Sequence, residues 1–276
     1  MMKSAITISL VPEARKGPFV FHANEGNADL FAYCKTASEM GFDAVEIFPG
    51  SAQEIRVSEL MACLSPLNLA VAAVGTGAGW VKQGLHLCDP DRTNREKACQ
   101  FISDIIDVAG ECGASAIIGS MQGRSSQLET HDMALSMLSD ALGKLGDRAA
   151  SHGQVLLYEP LNRYETDLFN TQKQAATFLE SQKLNHVRLL CDLFHMNIEE
   201  EDIAAALVSV STHIGHVHWA DSNRCAVGMG HTDPQPIVSA LQTVGFKGFL
   251  SAEVFPLPTS NDAANQTMDS FRKYIQ

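Results

Sequence analysis

The sequence predicts a closed barrel of eight parallel strands, each followed by a helix. Eight short apolar or β-branched runs alternate with longer stretches of helical periodicity, which is the pattern of repeated strand–helix units. The length of 276 residues is near the roughly 250 residues typical of such a barrel. An open doubly wound sheet would carry a glycine fingerprint after its first strand, whereas SLVPEARKGP follows here. The predicted fold class is α/β, a single (β/α)8 barrel.

The predicted strands are short runs rich in Val, Ile, Leu and Ala, with turn residues between them. In chain order they are residues 5–10, 44–48, 69–74, 116–118, 155–158, 187–191, 214–219 and 248–252.

Helical periodicity is clearest in six of the intervening stretches. They are residues 29–40, 92–111, 130–151, 171–184, 203–209 and 262–274. Several end at a glycine stop, as in EMGF, ECGA and SHGQ.

The glycine-rich TGAGW at 76–80 lacks both G-x-G-x-x-G and a following Lys-Ser/Thr, so we expect a flexible loop there and not a phosphate cradle. Since no linker or charge run divides the chain, residues 1–276 are expected to form one barrel domain.

Charge and cysteine content exclude several classes of protein. Acidic side chains outnumber basic ones by 32 to 20, and the net charge of −12 opposes binding to a phosphate backbone. The seven cysteines are scattered and form no C-x-x-C, so they indicate neither a disulfide framework nor a zinc ribbon. No stretch resembles a signal peptide or a membrane span. We therefore expect a cytoplasmic protein with no nucleic-acid or membrane partner.

The fifth to eighth predicted strands each deliver one polar residue at the carboxyl end, where active sites of this fold are built. These residues are Glu159, Asp192, His218 and Glu253. One such carboxylate alone would more often be a helix cap or a solvated charge. Four in a row converge on one half of the barrel mouth, where three carboxylates need a counter-charge. An oxygen-rich set of this kind suits a divalent metal, Mn²⁺ first and Mg²⁺ or Co²⁺ as alternatives.

Four stretches along the carboxyl-terminal half carry a family resemblance. EPLNRYETDLFNT (159–171), CDLFHM (191–196), HVHWADSNR (216–224) and SAEVFP (251–256) resemble the ketose 3-epimerases of the D-tagatose 3-epimerase type, within the xylose-isomerase-like barrel superfamily. The most specific segment is EPLNRYET. The amino-terminal half agrees only in its strand–helix rhythm.

The resemblance implies a role for each matched residue. Metal binding is implied for Glu159, Asp192, His218 and Glu253, with Glu159 and Glu253 also the catalytic acid/base pair. Substrate binding is implied for Glu165, His195 and Arg224. The implied enzyme is a metal-dependent epimerase in carbohydrate metabolism that inverts C3 of a free ketose through a cis-enediolate. Its partner is a small-molecule sugar, and such barrels are often homodimers or homotetramers.

Other functions remain open at this point. An aldose–ketose isomerase or an inosose-dehydratase-like lyase would use the same four ligands. An apurinic-site endonuclease would need histidines closing the second and third strands, where the sequence has EIFPG and AVGTG. A sugar-binding barrel without catalysis is a third alternative.

Two loop sequences leave the identity of the substrate unresolved. IIGSMQGRSS after the fourth strand and NRCAVGMGHTD after the seventh depart from the epimerase pattern. Arg124 and Arg224 together would also suit an acidic or phosphorylated sugar. Trp80 fits either the apolar side of a sugar or core packing. His216, on the same strand face as His218, is interpreted as a supporting or core residue.

Overall fold

The computed structural model describes residues 1–24 and 27–276, whose strands close into a barrel. The strands of this part of the chain are β1 (Lys3–Ser9), β2 (Phe21–His22), β3 (Ala44–Phe48), β4 (Ala70–Gly75), β5 (Ser115–Ile118), β6 (Leu156–Tyr158), β7 (Val187–Asp192), β8 (Ile214–His218) and β9 (Phe249–Ala252). All neighbours are parallel in the order β1-β3-β4-β5-β6-β7-β8-β9, and β9 pairs back with β1. The predicted eight-stranded barrel is confirmed. The two-residue β2 is an addition that pairs with the end of β1.

Helices surround the barrel. Over the described residues they are α1 (Asn27–Met40), α2 (Val57–Leu64), α3 (Ala78–Gln83), α4 (Arg92–Glu111), α5 (His131–Ser151), α6 (Gln172–Ser181), α7 (Leu193–Glu199), α8 (Ile203–Ser209), α9 (Pro234–Thr243) and α10 (Ser260–Tyr274). Seven of them begin at an Asp or Thr whose side chain accepts a first-turn N–H, as expected of N-caps. In this same part of the chain, no helix is both long and apolar enough to cross a bilayer.

The segment that we expected to be a flexible loop at 76–80 is instead ordered, and α3 begins within it. Gly75, just before this segment, and Gly77, within it, allow a neighbouring ring to pack closely. A Cβ on Gly75 would lie 2.7 Å from the Phe48 ring, and one on Gly77 would lie 2.9 Å from the same ring. Phe48 therefore lies in close contact with the end of β4, where it forms part of one wall of the barrel mouth.

The barrel interior below the mouth is filled by small and branched apolar side chains. Ala73, Ile117, Leu157 and Leu190, from four successive strands, form one buried layer. A much larger apolar core lies between the strands and the helices. This packed apolar interior lies below the carboxyl-terminal opening of the barrel. The polar side chains at the strand ends extend into that opening.

Candidate active site

The strand register aligns the polar residues at the carboxyl ends of four neighbouring strands. Asp192 ends β7 and is the register partner of His218, which ends β8. Ser251 of β9 is the partner of His218 on the other side, and Glu253 follows two residues later. Glu159 comes directly after β6. Parallel pairing thus delivers all four side chains to one half of the mouth.

These four residues form what we call the carboxylate cluster: Glu159, Asp192, His218 and Glu253. Nδ1 of His218 lies 3.4 Å from Oδ2 of Asp192, 3.6 Å from Oε1 of Glu159 and 3.7 Å from Oε2 of Glu253. One ligand atom from each residue lies within 4.8 Å of the others. The four strand-end residues singled out from the sequence are therefore brought together in the structure.

Asp192 acts as a helix cap and a cluster member at once. Its Oδ1 accepts the backbone N–H of Phe194 at 2.7 Å, which caps α7. Its other oxygen, Oδ2, faces His218. The helix-cap interpretation therefore holds at this position, and the same carboxylate is also a member of the cluster.

Glu46 is a site residue that the sequence reasoning missed. It lies within β3, is almost fully buried, and hydrogen-bonds two histidines of β8 across the barrel. Its Oε2 lies 2.8 Å from Nε2 of His216, and its Oε1 lies 3.1 Å from Nε2 of His218. We call these contacts the Glu46 pair. The available signal was a glutamate inside an apolar strand, which is rare without a partner.

The hydrogen bond to Glu46 determines which ring nitrogen of His218 faces the carboxylate cluster. In the neutral ring, Nε2–H donates to Glu46, and the lone pair of Nδ1 faces the three carboxylates. That lone pair is the one a metal ion would require. His216 supports Glu46 from the neighbouring position, in agreement with its interpretation as a supporting residue.

The charges of the cluster are only partly compensated within the protein. Burial raises the pKa of Glu159 to about 8 and also raises the pKa of Glu253. Burial alone would raise the pKa of Asp192 too, but His195 and His218 lower it below its usual value. Burial would lower the pKa of His218, yet the surrounding carboxylates raise it well above its usual value. The cluster thus attracts positive charge strongly.

The donor set fits a divalent cation. Three carboxylates and one imidazole nitrogen are hard or borderline ligands, and none is a thiolate. Oε1 of Glu159 is buried and has no hydrogen-bond partner among the described residues, although it points at His218. A buried carboxylate oxygen without a donor needs an explanation, and a cation would provide one.

The three residues expected to bind substrate lie around the cluster. Arg224 Nη2 is 2.6 Å from Oε2 of Glu253 and 3.8 Å from Oδ2 of Asp192, and its Nη1 is 3.8 Å from Oε1 of Glu165. Nδ1 of His195 is 3.9 Å from Oε1 of Glu165. All seven residues named from the sequence therefore belong to one group.

The hydrogen bonds of His195 fix which nitrogen carries its proton. Nδ1 accepts the backbone N–H of Asn162 at 3.2 Å and lies 2.8 Å from its side-chain nitrogen. Nδ1 is therefore the acceptor, and Nε2 carries the hydrogen. Nε2 is buried without a hydrogen-bond partner in the described structure, 3.8 Å from Oε1 of Glu159. His195 thus presents an unused N–H beside the cluster.

Asp221 organises the loop that carries Arg224, and the sequence reasoning gave it no role. Its carboxylate accepts the backbone N–H of Ser222 and of Gly228, each at 2.7 Å, and that of Thr232 at 3.1 Å. Arg224, with a φ of 59°, donates its own N–H to the Asp221 carbonyl at 2.8 Å. The guanidinium is therefore carried by a loop that is wound around a buried carboxylate.

A cavity of about 370 Å³ opens above the cluster. Glu159, His218 and Glu253 line one side together with Glu46. The facing wall is apolar and contains Phe19, Phe48, Trp80 and Val81. A pocket of this size, with one polar and one apolar side, suits a small hydroxylated molecule.

Comparison with known proteins places this chain in a family. The family model described as Xylose isomerase-like TIM barrel matches residues 34–274. An L-ribulose 3-epimerase of Mesorhizobium japonicum is 30% identical, over 86% of this chain and 79% of its own. A 3-dehydro-D-guloside 4-epimerase of Escherichia coli is 31% identical, over 83% of this chain and 87% of its own.

A solved structure agrees with the fold. The D-psicose 3-epimerase of Clostridium cellulolyticum H10, crystallised with D-tagatose, superposes with a TM-score of 0.79 at 22% identity. The match covers 99% of each chain. At this identity it supports the barrel architecture along nearly the whole chain.

Proposed function

The chain belongs to the xylose isomerase-like TIM barrel family, and from this premise we propose that it is a metal-dependent sugar epimerase that inverts C3 of a free ketose. The observation that carries the proposal is the carboxylate cluster. Within it, Glu159 and Glu253 approach Nδ1 of His218 from β6 and β9 at 3.6 and 3.7 Å. Relatives named as ketose 3-epimerases, which align over most of the chain, support it.

The names of two relatives describe inversion of a carbon that lies next to a carbonyl group. Ribulose has its carbonyl at C2, and its 3-epimerase inverts the adjacent carbon. A 3-dehydro sugar has its carbonyl at C3, and its 4-epimerase again inverts the adjacent carbon. A carbon next to a ketone can be inverted by removing its proton to form an enediolate, because the carbonyl makes that proton acidic. The proposed activity uses the same step.

The cluster residues would hold the cation, with His218 using Nδ1. We propose Mn²⁺, with Mg²⁺ and Co²⁺ as alternatives, because the donors are mainly carboxylate oxygens. When bound, the cation supplies electrostatic stabilisation of the negative charge that develops on the sugar oxygens.

Glu159 and Glu253 are proposed as the acid/base pair. One carboxylate takes the proton from C3, and the other returns a proton to the opposite face of the planar cis-enediolate. Their strands are separated by β7 and β8, so the two carboxylates reach the cavity from different sides. Because burial raises both pKa values, a glutamate that has accepted a proton holds it more readily than an exposed one would.

The remaining residues would bind and orient the sugar. The unused Nε2–H of His195 would donate to a sugar oxygen beside Glu159. Arg224 would hold the oxyanion through a charge-assisted hydrogen bond, a contribution worth a few kcal/mol for one well-placed donor. Glu165, which is partly exposed at the cavity edge, would accept from a sugar hydroxyl.

The alternatives that the sequence left open differ in product. An isomerase or a lyase would use the same cluster, so product analysis separates them from an epimerase. The nuclease alternative has less support, because β3 ends at Phe48 and β4 at Gly75, where that enzyme would need histidines.

The test is hydrogen exchange in deuterated water. We would incubate the Mn²⁺-loaded protein with tagatose, fructose, psicose, sorbose, ribulose, xylulose and erythrulose and follow C3 by NMR. Deuterium at C3 together with the C3 epimer is the expected result. An aldose product or loss of water would favour the isomerase or the lyase, and no exchange in any sugar would contradict the proposal.

A further inference from the structure

A second cavity adjoins the one above the cluster. Its volume is about 390 Å³, close to that of the first. Trp80, Ser120, Leu161 and Glu165 line both cavities. A molecule seated over the carboxylate cluster can therefore extend past Glu165 into additional space.

The walls of the second cavity are tied together by hydrogen bonds between the loops that follow β5 and β6. Arg124 donates from Nε to the Glu165 carbonyl at 2.9 Å and from Nη2 to the Tyr164 carbonyl. Thr166 Oγ1 donates to the Gly123 carbonyl at 2.9 Å. Since these bonds cross between the two loops, the cavity has a preorganised shape.

The lining offers unused polar groups around an aromatic surface. Among the described residues, the side chains of Ser120, Ser126 and Gln127 have no hydrogen bond to another protein group, and all three line the second cavity. Trp80 is 44% exposed, and its ring makes a T-shaped contact with that of His86 at 5.5 Å between ring centres. Polar groups beside a partly exposed indole ring can bind the hydroxyls and the apolar side of a sugar ring.

The charges of the lining favour a neutral occupant. Arg124 and Glu165 contribute one charge of each sign, and Arg124 already donates to two backbone carbonyls. A phosphate here would face the Glu165 carboxylate, whereas sugar hydroxyls can donate to it.

We propose that the second cavity is a glycosyl subsite, so that the preferred substrate is a ketose carrying a neutral sugar unit on a hydroxyl other than that of C3. The reacting ketose lies over the carboxylate cluster. The added unit lies between Trp80 and the 124–127 segment. This subsite rests on the proposed epimerase function and extends its substrate from a single ketose to a ketose that carries a glycosyl unit.

The test compares fructose with isomaltulose and lactulose, which are fructose bearing a glycosyl unit on O6 and O4. Binding is measured by titration calorimetry on the Mn²⁺-loaded protein, and deuterium incorporation at C3 is followed in parallel. We expect at least one disaccharide to bind at least tenfold more tightly than fructose. Fructose 6-phosphate is the probe for an anion site.

A matched pair of substitutions locates the effect. Ser126→Trp places bulk in the second cavity, and Ser136→Trp places the same bulk on the exposed face of α5. We expect the disaccharide preference to fall toward one in Ser126→Trp and to persist in Ser136→Trp. Equal losses in both variants would contradict the assigned location.

The remaining outcomes separate the two proposals. C3 exchange with fructose but no preference for either disaccharide would overturn the subsite and leave the epimerase function intact. Tighter binding of fructose 6-phosphate than of both disaccharides would overturn it in favour of an anion site. No exchange in any sugar would contradict the proposed function, and the subsite with it.

Discussion

The two ring nitrogens of His218 face two regions that differ in how completely their charges are paired. On the Nε2 side, the Glu46 pair makes hydrogen bonds of 2.8 and 3.1 Å. On the Nδ1 side, the separations from three carboxylates are 3.4 to 3.7 Å, and one oxygen of Glu159 has no donor in the described structure. One side is complete within the protein, and the other needs a partner from outside. We therefore expect the catalytic chemistry on the Nδ1 side of His218, which we call the incomplete side; the Nε2 side is the complete side.

The largest effect is expected from the acid/base pair on the incomplete side. Glu253→Gln keeps an oxygen ligand but cannot exchange a proton, so kcat should fall by about 10²- to 10⁴-fold with a modest loss of metal. Glu159→Gln should behave in the same way. Steady-state kinetics beside metal analysis would measure both, with the exposed Glu129→Gln as control. Near-normal turnover in Glu253→Gln would exclude the two-base mechanism.

Removal of the metal should abolish activity and lower stability. A cation at about 100 times its Kd would add roughly 2.7 kcal/mol to the free energy of unfolding, because it binds only the folded chain. Dialysis against a chelator, followed by metal analysis, an activity assay and a thermal melt, would measure this. Full activity in protein without detectable metal would show that the cluster does not need the cation.

Glu46→Gln tests the complete side, where Glu46 is hydrogen-bonded to His216 and to Nε2 of His218. A glutamine can accept from one histidine N–H, but its amide group then faces the other, so the orientation of His218 is loosened. We expect metal affinity to fall about 10- to 100-fold, and kcat at saturating metal to change much less. Metal titration and kinetics together would separate this from a direct catalytic role. A collapse of kcat with unchanged metal affinity would contradict the positioning role.

The smallest effect concerns Asp221, which holds the loop of Arg224. Burial would raise its pKa, but the backbone N–H donors around it lower the pKa below its usual value. A carboxyl of this kind stabilises the fold above its unfolded pKa of about 3.9 and loses that contribution as the pH falls.

We therefore expect Asp221→Asn to cost about 1–3 kcal/mol at pH 7, with the difference from wild type shrinking below about pH 4. Denaturant unfolding at several pH values would measure it, with Asp140→Asn on the exposed face of α5 as control. A difference that does not change with pH would show that the carboxylate charge is not what holds the loop.

The sequence predicted the regular parts of the molecule well. The bounds of α4 and α8 agree with the predicted stretches, and the barrel strands differ from prediction by at most a few residues. Strand-end carboxylates can be recognised because a charged residue directly after an apolar run is conspicuous. These signals are local, so one sequence suffices to find them.

What the sequence did not predict depends on contacts across the barrel. Glu46 lies inside β3, and its partners are 170 and 172 residues away. Gly77 was interpreted as part of a flexible loop, because nothing local shows that Phe48 packs against it. In the sequence, Asp221 is indistinguishable from an ordinary Asp in a turn. Only the folded loop shows that three backbone N–H groups donate to its carboxylate.

The closure of β9 onto β1 has a consequence for how the site is assembled in time. Residues 3–6 pair with the segment that immediately precedes Glu253, almost 250 positions later in the chain. Contacts over such separations form late, because they require most of the chain to be collected first. As a ribosome releases this polypeptide, Glu159, Asp192 and His218 emerge before the strand that brings Glu253. The eighth barrel strand both seals the barrel and delivers the second of the two glutamates, so a partly folded chain lacks half of the proposed acid/base pair.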